Sequence, residues 1–315
     1  MENFMINSRY YKFWDSHTDV AKSTKKSYRA SLRKFDAFLT KLHFEAPLDL
    51  DSFYIYNDGT HAPIDKEFVD SFIEYLHDQN LSNNAKYSTL SAIKSIFCFL
   101  EDYELIKNNP FRNYPNGFKE WKILDRGLSI KECNALLNSA KSLDSNSDKY
   151  LCLLTLLLFC GLRAREVCEL EYSQIYFDVS SISIHNGQKT KAMGVPMNKA
   201  VVKLLKRYTS SHEWSEWSAR GGKTIFYENN KPLTYVKLLK WIEDIVENSS
   251  VVRRITPHMF RHTFAQMLLK NGEDLITIKR MLRHKSVTTT LMYLGPLVEW
   301  NEEVDHKKWN KSGKA

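Results

Sequence analysis

Apolar residues recur at intervals of three and four from Thr24 to Leu42, where Tyr28, Leu32, Phe35, Leu39 and Leu42 fall on one face. That is the period of a helix with one side buried. The same pattern predicts a helix over 65–78, with Phe68, Phe72, Ile73 and Leu76 inward, and another over 82–103, with Ser82 as N-cap and Leu90, Ile93, Phe97 and Leu100 as its core stripe. Before Thr24 the chain reads as a short polar leader, and 43–63 and 210–223 read as loops. The stretch NNPFRNYPNGFKEWKILDRG, rich in Asn, Pro and Gly, reads as a linker. After it come a capped helix from Leu128 and a run, LCLLTLLLFC, apolar on all sides and therefore a buried helix. The period then switches to two: SISI at 181–184, the turn HNGQKTK and MGVPM at 193–197 give a β-hairpin signal. Helical patterns resume over 198–208 and 233–248, and a last one opens at Thr256-Pro257. The pattern predicts a mainly α protein with a small antiparallel β-sheet. It divides into an N-terminal helical domain (1–109), a linker (110–127), a second domain (128–296) and a C-terminal tail (297–315).

Composition adds a partner class. The chain of 315 residues carries a net charge of +8 and a pI near 9.0, so a polyanion is an expected partner, phosphate contacts being what basic surfaces bind best. The charges concentrate on the polar face of the first helix, at Lys25, Lys26, Arg29 and Arg33, with Lys86 and Lys94 standing off the third. These six are the candidate residues for contact with a polyanion. The cysteines number 5, with no C-x-x-C spacing, which excludes a disulfide framework and a thiolate zinc site; Cys152, Cys160 and Cys168 read as core thiols. No apolar run is long enough for a bilayer and no signal peptide is visible, so a cytoplasmic protein without a membrane partner is expected.

The candidate chemistry lies in the second half. His258 and Arg261 share a helix face, Arg163 and Glu166 follow the buried helix, and His284 precedes Tyr293 by nine residues. Arginines grip the non-bridging oxygens of a phosphodiester and oppose the charge of a pentavalent transition state. Imidazoles move protons near neutral pH, and a phenol beside such a cluster is a nucleophile. The turn lysines Lys189 and Lys191 offer a general acid for a 5′-oxygen leaving group. His258 and His262 stand four apart, a zinc-like spacing, but HMFRH lacks the glutamate of HExxH and Arg261 would repel a cation, so no metal is expected. His262, His212 and His306 read as structural or exposed.

GLRxxE, a lysine-bearing β-turn, HxxRH and LxH with a tyrosine nine residues on, in this order, resemble the tyrosine recombinase (phage-integrase-type) family. The resemblance covers about 128–293, and the preceding helical domain is similar to the family's core-binding domain. It implies a two-domain DNA clamp, a helical core-binding domain plus a catalytic domain. It implies as catalytic residues Arg163, Lys189 (Lys191 being the alternative), His258, Arg261, His284 and Tyr293, with Glu166 supporting Arg163. It also implies cutting and rejoining of DNA through a 3′-phosphotyrosyl link that conserves the bond energy, so no metal, ATP or other cofactor is needed. The expected partner is double-stranded DNA with specific recombination sites, which makes Lys25, Lys26, Arg29, Arg33, Lys86 and Lys94 candidate DNA-binding residues. The expected assembly is a homotetramer, alone or with a related partner recombinase or accessory proteins, with the tail (Leu297, Trp300 and Val304 at helical spacing) docking on a neighbouring protomer. Two positions depart from the family's pattern. Arg283 stands where a small residue is usual, and Leu-Gly-Pro follows Tyr293. The alternatives are a type IB-like topoisomerase and a non-catalytic DNA-binding protein on the same fold.

Overall fold

The computed structural model describes residues 4–42, 48–50, 53–55, 61–118, 125–143, 148–184 and 193–294. The chain forms two compact units, Met1–Lys122 and Ile123–Ala315.

The first unit contains α1 (Phe4–Asn7), α2 (Arg9–His17), α3 (Lys22–Lys41), the antiparallel pair β1 (Phe53–Ile55) and β2 (His61–Pro63), α4 (Lys66–Asp78) and α5 (Asn83–Asp102). Three helices begin where a side-chain oxygen accepts an otherwise unpaired amide. Ser8 takes Tyr11 N (3.2 Å), Asp65 takes Phe68 N (3.1 Å) and Ser82 takes Ala85 N (3.3 Å). The apolar stripes of α3, α4 and α5 meet in one core centred on Phe35. Its ring packs against Phe68, Phe72, Phe97 and Phe111 at 5.2 to 6.4 Å, mostly edge to face, the arrangement that aromatic quadrupoles favour.

Three expectations change here. The N-terminal leader is helical, because Tyr10, Tyr11 and Trp14 lie on one face of α2 and are buried. The segment expected to be a loop over 43–63 contains the β1–β2 pair. The linker sequence is packed in its first part, since Phe111 and Phe118 enter the core of this unit.

The second unit contains α6 (Ile130–Leu143), α7 (Lys149–Phe159), α8 (Ala164–Cys168), β3 (Ile175–Tyr176), β4 (Ser181–Ile184), β5 (Met193–Pro196), α9 (Lys199–Thr209), α10 (His212–Ala219), β6 (Tyr227–Glu228), β7 (Lys231–Pro232), α11 (Tyr235–Glu247), α12 (Pro257–Lys270), α13 (Leu275–Met281) and α14 (Val287–Leu294). α6 starts with a reciprocal cap: Ser129 N donates to Glu132 Oε2 (2.7 Å) and Glu132 N to Ser129 Oγ (3.2 Å). α7 is buried along nearly its whole length, from Cys152 to Leu158, and is the axis of the core. The expected hairpin is present: β4 pairs with both β3 and β5, and Ile182 faces Val195 while Ile184 faces Met193. Ile182 and Ile184 are buried and alternate with half-exposed serines, so this sheet is covered on one face. The polar segment 210–223 is not all loop. Trp214 and Trp217, three apart, bury one side of α10, and Ser211 Oγ accepts Trp214 N (3.3 Å). Cys152, Cys160 and Cys168 are buried thiols, as expected. Among the described residues no helix is long and apolar enough to cross a membrane.

A small second cluster, Phe264, Ala265, Ile278, Leu282 and Leu294, ties α12, α13 and α14 together. It fixes the three helices that carry most of the expected site.

Candidate active site

α7 ends at Cys160, and the chain turns through Gly161 at φ +56°. A Cβ there would come within 2.3 Å of the Phe264 ring, so only glycine allows this close approach. The turn delivers Arg163 to the N-cap position of α8. Glu166, one helical turn on, accepts Arg163 N at Oε2 (2.7 Å) and Arg163 Nη1 at Oε1 (2.8 Å). Arg165, between them, faces solvent. Burial alone would raise the Glu166 pKa. The charges of Arg283 and Arg163 and the Arg163 amide outweigh burial and hold it below the ordinary carboxylate value, so Glu166 is an anion.

α12 begins at Pro257, a residue suited to the first helical position. It presents His258 to solvent and buries Arg261 and His262. Arg261 is 1% exposed. Its Nη1 donates to the Gly161 carbonyl and its Nη2 to the Leu282 carbonyl, so it braces the end of α7 against the end of α13, while Nε is buried without a partner. Partial desolvation, then the charges of Arg261, Arg163 and Arg126, push the His258 pKa below the ordinary imidazole value. His258 is therefore neutral at pH 7 and able to accept a proton.

α13 ends in a Schellman motif: His284 N donates to Lys279 O (3.0 Å) and Arg283 N to Arg280 O (2.9 Å). The motif needs a left-handed residue, and Arg283 supplies it at φ +54°. A non-glycine residue there costs roughly 1–2 kcal/mol. The turn aims the His284 ring into the cluster, where Nδ1 lies 3.0 Å from Thr290 Oγ1 of α14. Burial first, then Arg261, Arg163 and Arg283, press its pKa down to about 3, so His284 is neutral. If the Thr290 hydroxyl donates in this contact, the neutral ring carries its proton on Nε2, which can then donate elsewhere.

Tyr293, one turn after Thr290, is half-buried. Its ring lies 4.8 Å from His284, and stacks on His262 at 3.9 Å with an interplanar angle of 11°. His262 Nδ1 also lies 3.3 Å from the Tyr293 carbonyl oxygen. α8, α12, α13 and α14 thus bring Arg163, Glu166, Arg261, His284 and Tyr293 into one linked cluster, with His258 on the exposed face of α12. Lys189 and Lys191, and the tail with His306, lie outside the described residues. Two members of the cluster are not expected from the sequence. His262, which reads there as structural, stacks on the tyrosine; its place one turn after His258 is the available signal. Arg283 is buried and its Nη2 donates to Glu166 Oε2 at 2.5 Å. Nothing in the local sequence joins residues 117 apart.

The basic residues of the first unit divide. Lys26, Arg29 and Arg33 are exposed. Arg29 Nε donates to Tyr11 Oη (2.6 Å), and Lys25 pairs with Asp15 (3.5 Å). Lys86 is buried and donates to His77 O (3.2 Å), and Lys94 donates to Tyr114 O (2.6 Å). These last two ammonium groups are engaged inside the unit, holding helix and loop carbonyls.

The phage integrase family model matches residues 126–298, and the phage integrase SAM-like domain matches residues 9–116. The chain is 28% identical over 277 residues to tyrosine recombinase XerC of Pediococcus pentosaceus, covering 85% of this chain and 91% of that one. It is 26% identical over 289 residues to tyrosine recombinase XerD of Staphylococcus saprophyticus, covering 91% and 92%. In fold it is similar to the Tn1549 transposon integrase in complex with transposon right end DNA (TM-score 0.67, 19% identity, 90% and 92% covered). It is also similar to a lambda integrase dimer bound to a core site (TM-score 0.65, 16% identity, 94% and 95% covered).

Proposed function

Since the chain belongs to the phage integrase family of tyrosine recombinases, we propose that it is a site-specific DNA recombinase that cuts and rejoins strands through Tyr293. The observation that carries this reading is the convergence on one cluster of two arginines, a histidine and the tyrosine, brought from α8 and, far along the chain, from the consecutive α12, α13 and α14.

Arg163 holds one non-bridging oxygen of the scissile phosphate, and Arg261, on turning from the Gly161 and Leu282 carbonyls, holds the other; both offset the charge that grows there in the transition state. His284 donates Nε2–H to the same group. His258, neutral for the reasons above, accepts the phenolic proton as Tyr293 Oη attacks phosphorus. The 5′-oxygen leaves with a proton from the turn lysine, Lys189 or Lys191. A 5′-hydroxyl of the partner strand reverses the step, and the energy of the phosphotyrosyl ester is retained throughout. Glu166 keeps Arg163 in place. The first unit contributes backbone contacts through Lys26, Arg29 and Arg33. Four protomers act on two duplexes that carry the recombination site, and the segment after Leu294 links neighbours.

The test is covalent capture. Wild type and Tyr293→Phe are incubated with DNA of the source, SDS-stable adducts are isolated and their attached ends are sequenced. The expected outcome is discrete sites recovered with wild type alone. Adducts scattered without a shared sequence would indicate relaxation of a topoisomerase kind. Equal adducts from both proteins, or none from either, would overturn the assignment of Tyr293.

A further inference from the structure

Arg163 and Arg283 share one carboxylate. Arg283 Nη2 lies 2.5 Å from Glu166 Oε2, and Arg163 Nη1 lies 2.8 Å from Oε1. The two guanidiniums differ in access: the Arg283 side chain is 1% exposed and that of Arg163 is 30% exposed. Arg283 is further anchored through Nη1 to Met281 O (3.0 Å), and its own carbonyl oxygen receives Arg163 Nη2 at 3.4 Å.

From this arrangement we infer that Arg283 is a positioning residue for Arg163: by occupying Oε2 of Glu166 it keeps Arg163 from closing onto the carboxylate and presents that guanidinium to the scissile phosphate. The inference rests on the recombinase reading above. Its physical basis is the preference of guanidinium and carboxylate for a two-pronged pair. Left alone with Arg163, the Glu166 carboxylate would take both terminal nitrogens and draw the side chain down. With Oε2 held by Arg283 Nη2 and by the Arg163 amide (2.7 Å), the Arg163 guanidinium engages through one prong. Two positive groups against one negative also leave a surplus charge, and it resides on the member that solvent reaches. The backbone points the same way. The left-handed position at the end of α13 suits glycine, yet the chain holds there one of its longest side chains, turned inward onto Glu166.

The test uses the full-length protein and a nicked duplex bearing the sequence recovered from the Tyr293 adducts. Single-turnover adduct formation is measured for wild type, Arg283→Gly and Arg163→Ala. Each meets a natural scissile phosphate and the methylphosphonate stereoisomer on which Arg163→Ala is no longer slower than wild type. Glycine fits the backbone at 283, so folding and DNA affinity are expected to hold. On the phosphate, Arg283→Gly is expected to slow adduct formation by about 10- to 100-fold, the usual range for a group that orients another. On that methylphosphonate, where the Arg163 contact is irrelevant, the loss is expected to shrink to within about threefold. A wild-type rate for Arg283→Gly, or an equal loss on both substrates, would overturn the inference. Should Arg283→Gly not fold, Arg283→Lys carries the same comparison, with a smaller loss on the phosphate and none on the methylphosphonate. Absence of adduct from wild type would instead count against the recombinase reading.

Discussion

Asp36 shows how far one buried acid departs from its behaviour in water. It is 1% exposed on α3, its Oδ1 accepts Met5 N (2.7 Å), and its Oδ2 has no partner. Burial raises its pKa from 3.8 to about 6, with the amides of Met5 and Ile6 pulling the other way. Between these two values the folded chain holds a proton that the unfolded chain has released. The contribution of Asp36 to stability is therefore greatest below pH 4, falls as pH rises through about 6, and then levels off. A rise of this size corresponds to roughly 3 kcal/mol. Asp36→Asn cannot titrate, so its unfolding free energy relative to wild type is expected to improve by about 2–3 kcal/mol between pH 4 and pH 7.5. Urea unfolding at the two pH values measures this, and a pH-independent difference would show that Asp36 is ionised in the folded state. Desolvation and the neighbouring guanidiniums likewise lower the pKa of His258 and of His284, which favours the neutral form of both.

At the scale of elements, the site depends on how helices end. α7 ends at Gly161, whose carbonyl receives Arg261 Nη1 and, at 3.4 Å, Arg283 Nη2. α13 ends in the left-handed turn that carries Arg283 and aims His284. Gly161→Ala would meet Phe264 and strain a φ of +56°. The expected result is a loss of about 1–3 kcal/mol in stability together with at least a tenfold fall in the rate of Tyr293 adduct formation. Calorimetry and single-turnover cleavage give the two numbers separately. An unchanged adduct rate would mean that the bend at Gly161 does not govern Arg261. Elements were legible in the sequence where the apolar period was long, as in α3, α4, α5, α7 and α11. They were missed where a few aromatic anchors sat among polar residues, as Tyr10, Tyr11 and Trp14 do in α2 and Trp214 and Trp217 in α10. In such helices the stabilising term is burial against another element, which local composition does not contain.

For the whole molecule the governing quantity is charge, +8 on 315 residues. Binding to DNA is expected to weaken steeply with salt, because each neutralised phosphate releases condensed counterions. Lys26 and Arg33 are exposed on α3, whereas Lys86 and Lys94 are bonded to carbonyls of their own unit. The double variant Lys26→Gln/Arg33→Gln should therefore reduce the log–log salt slope of DNA affinity by about two. Fluorescence anisotropy titrations from about 50 to 200 mM salt would read it, and an unaltered slope would remove these side chains from the DNA-facing surface.

The sequence by itself determined the helical character of both units and the hairpin, and it singled out Arg163, Glu166, Arg261, His284 and Tyr293 as candidates, though not His262 or Arg283. These are encoded locally, in the period of apolar positions and in motif spacings that lie within single helices or turns. Tertiary structure decided what those residues do to one another. Arg261 is turned onto the carbonyls of Gly161 and Leu282, His262 is stacked on Tyr293, and Glu166 is shared by Arg163 and Arg283. Each of these contacts joins positions from 21 to 117 residues apart, the local Arg163–Glu166 pair excepted. Each arises because a charged or polar group buried by packing must find a partner among whatever backbone and side chains the fold brings within reach, and no local pattern specifies which ones those are.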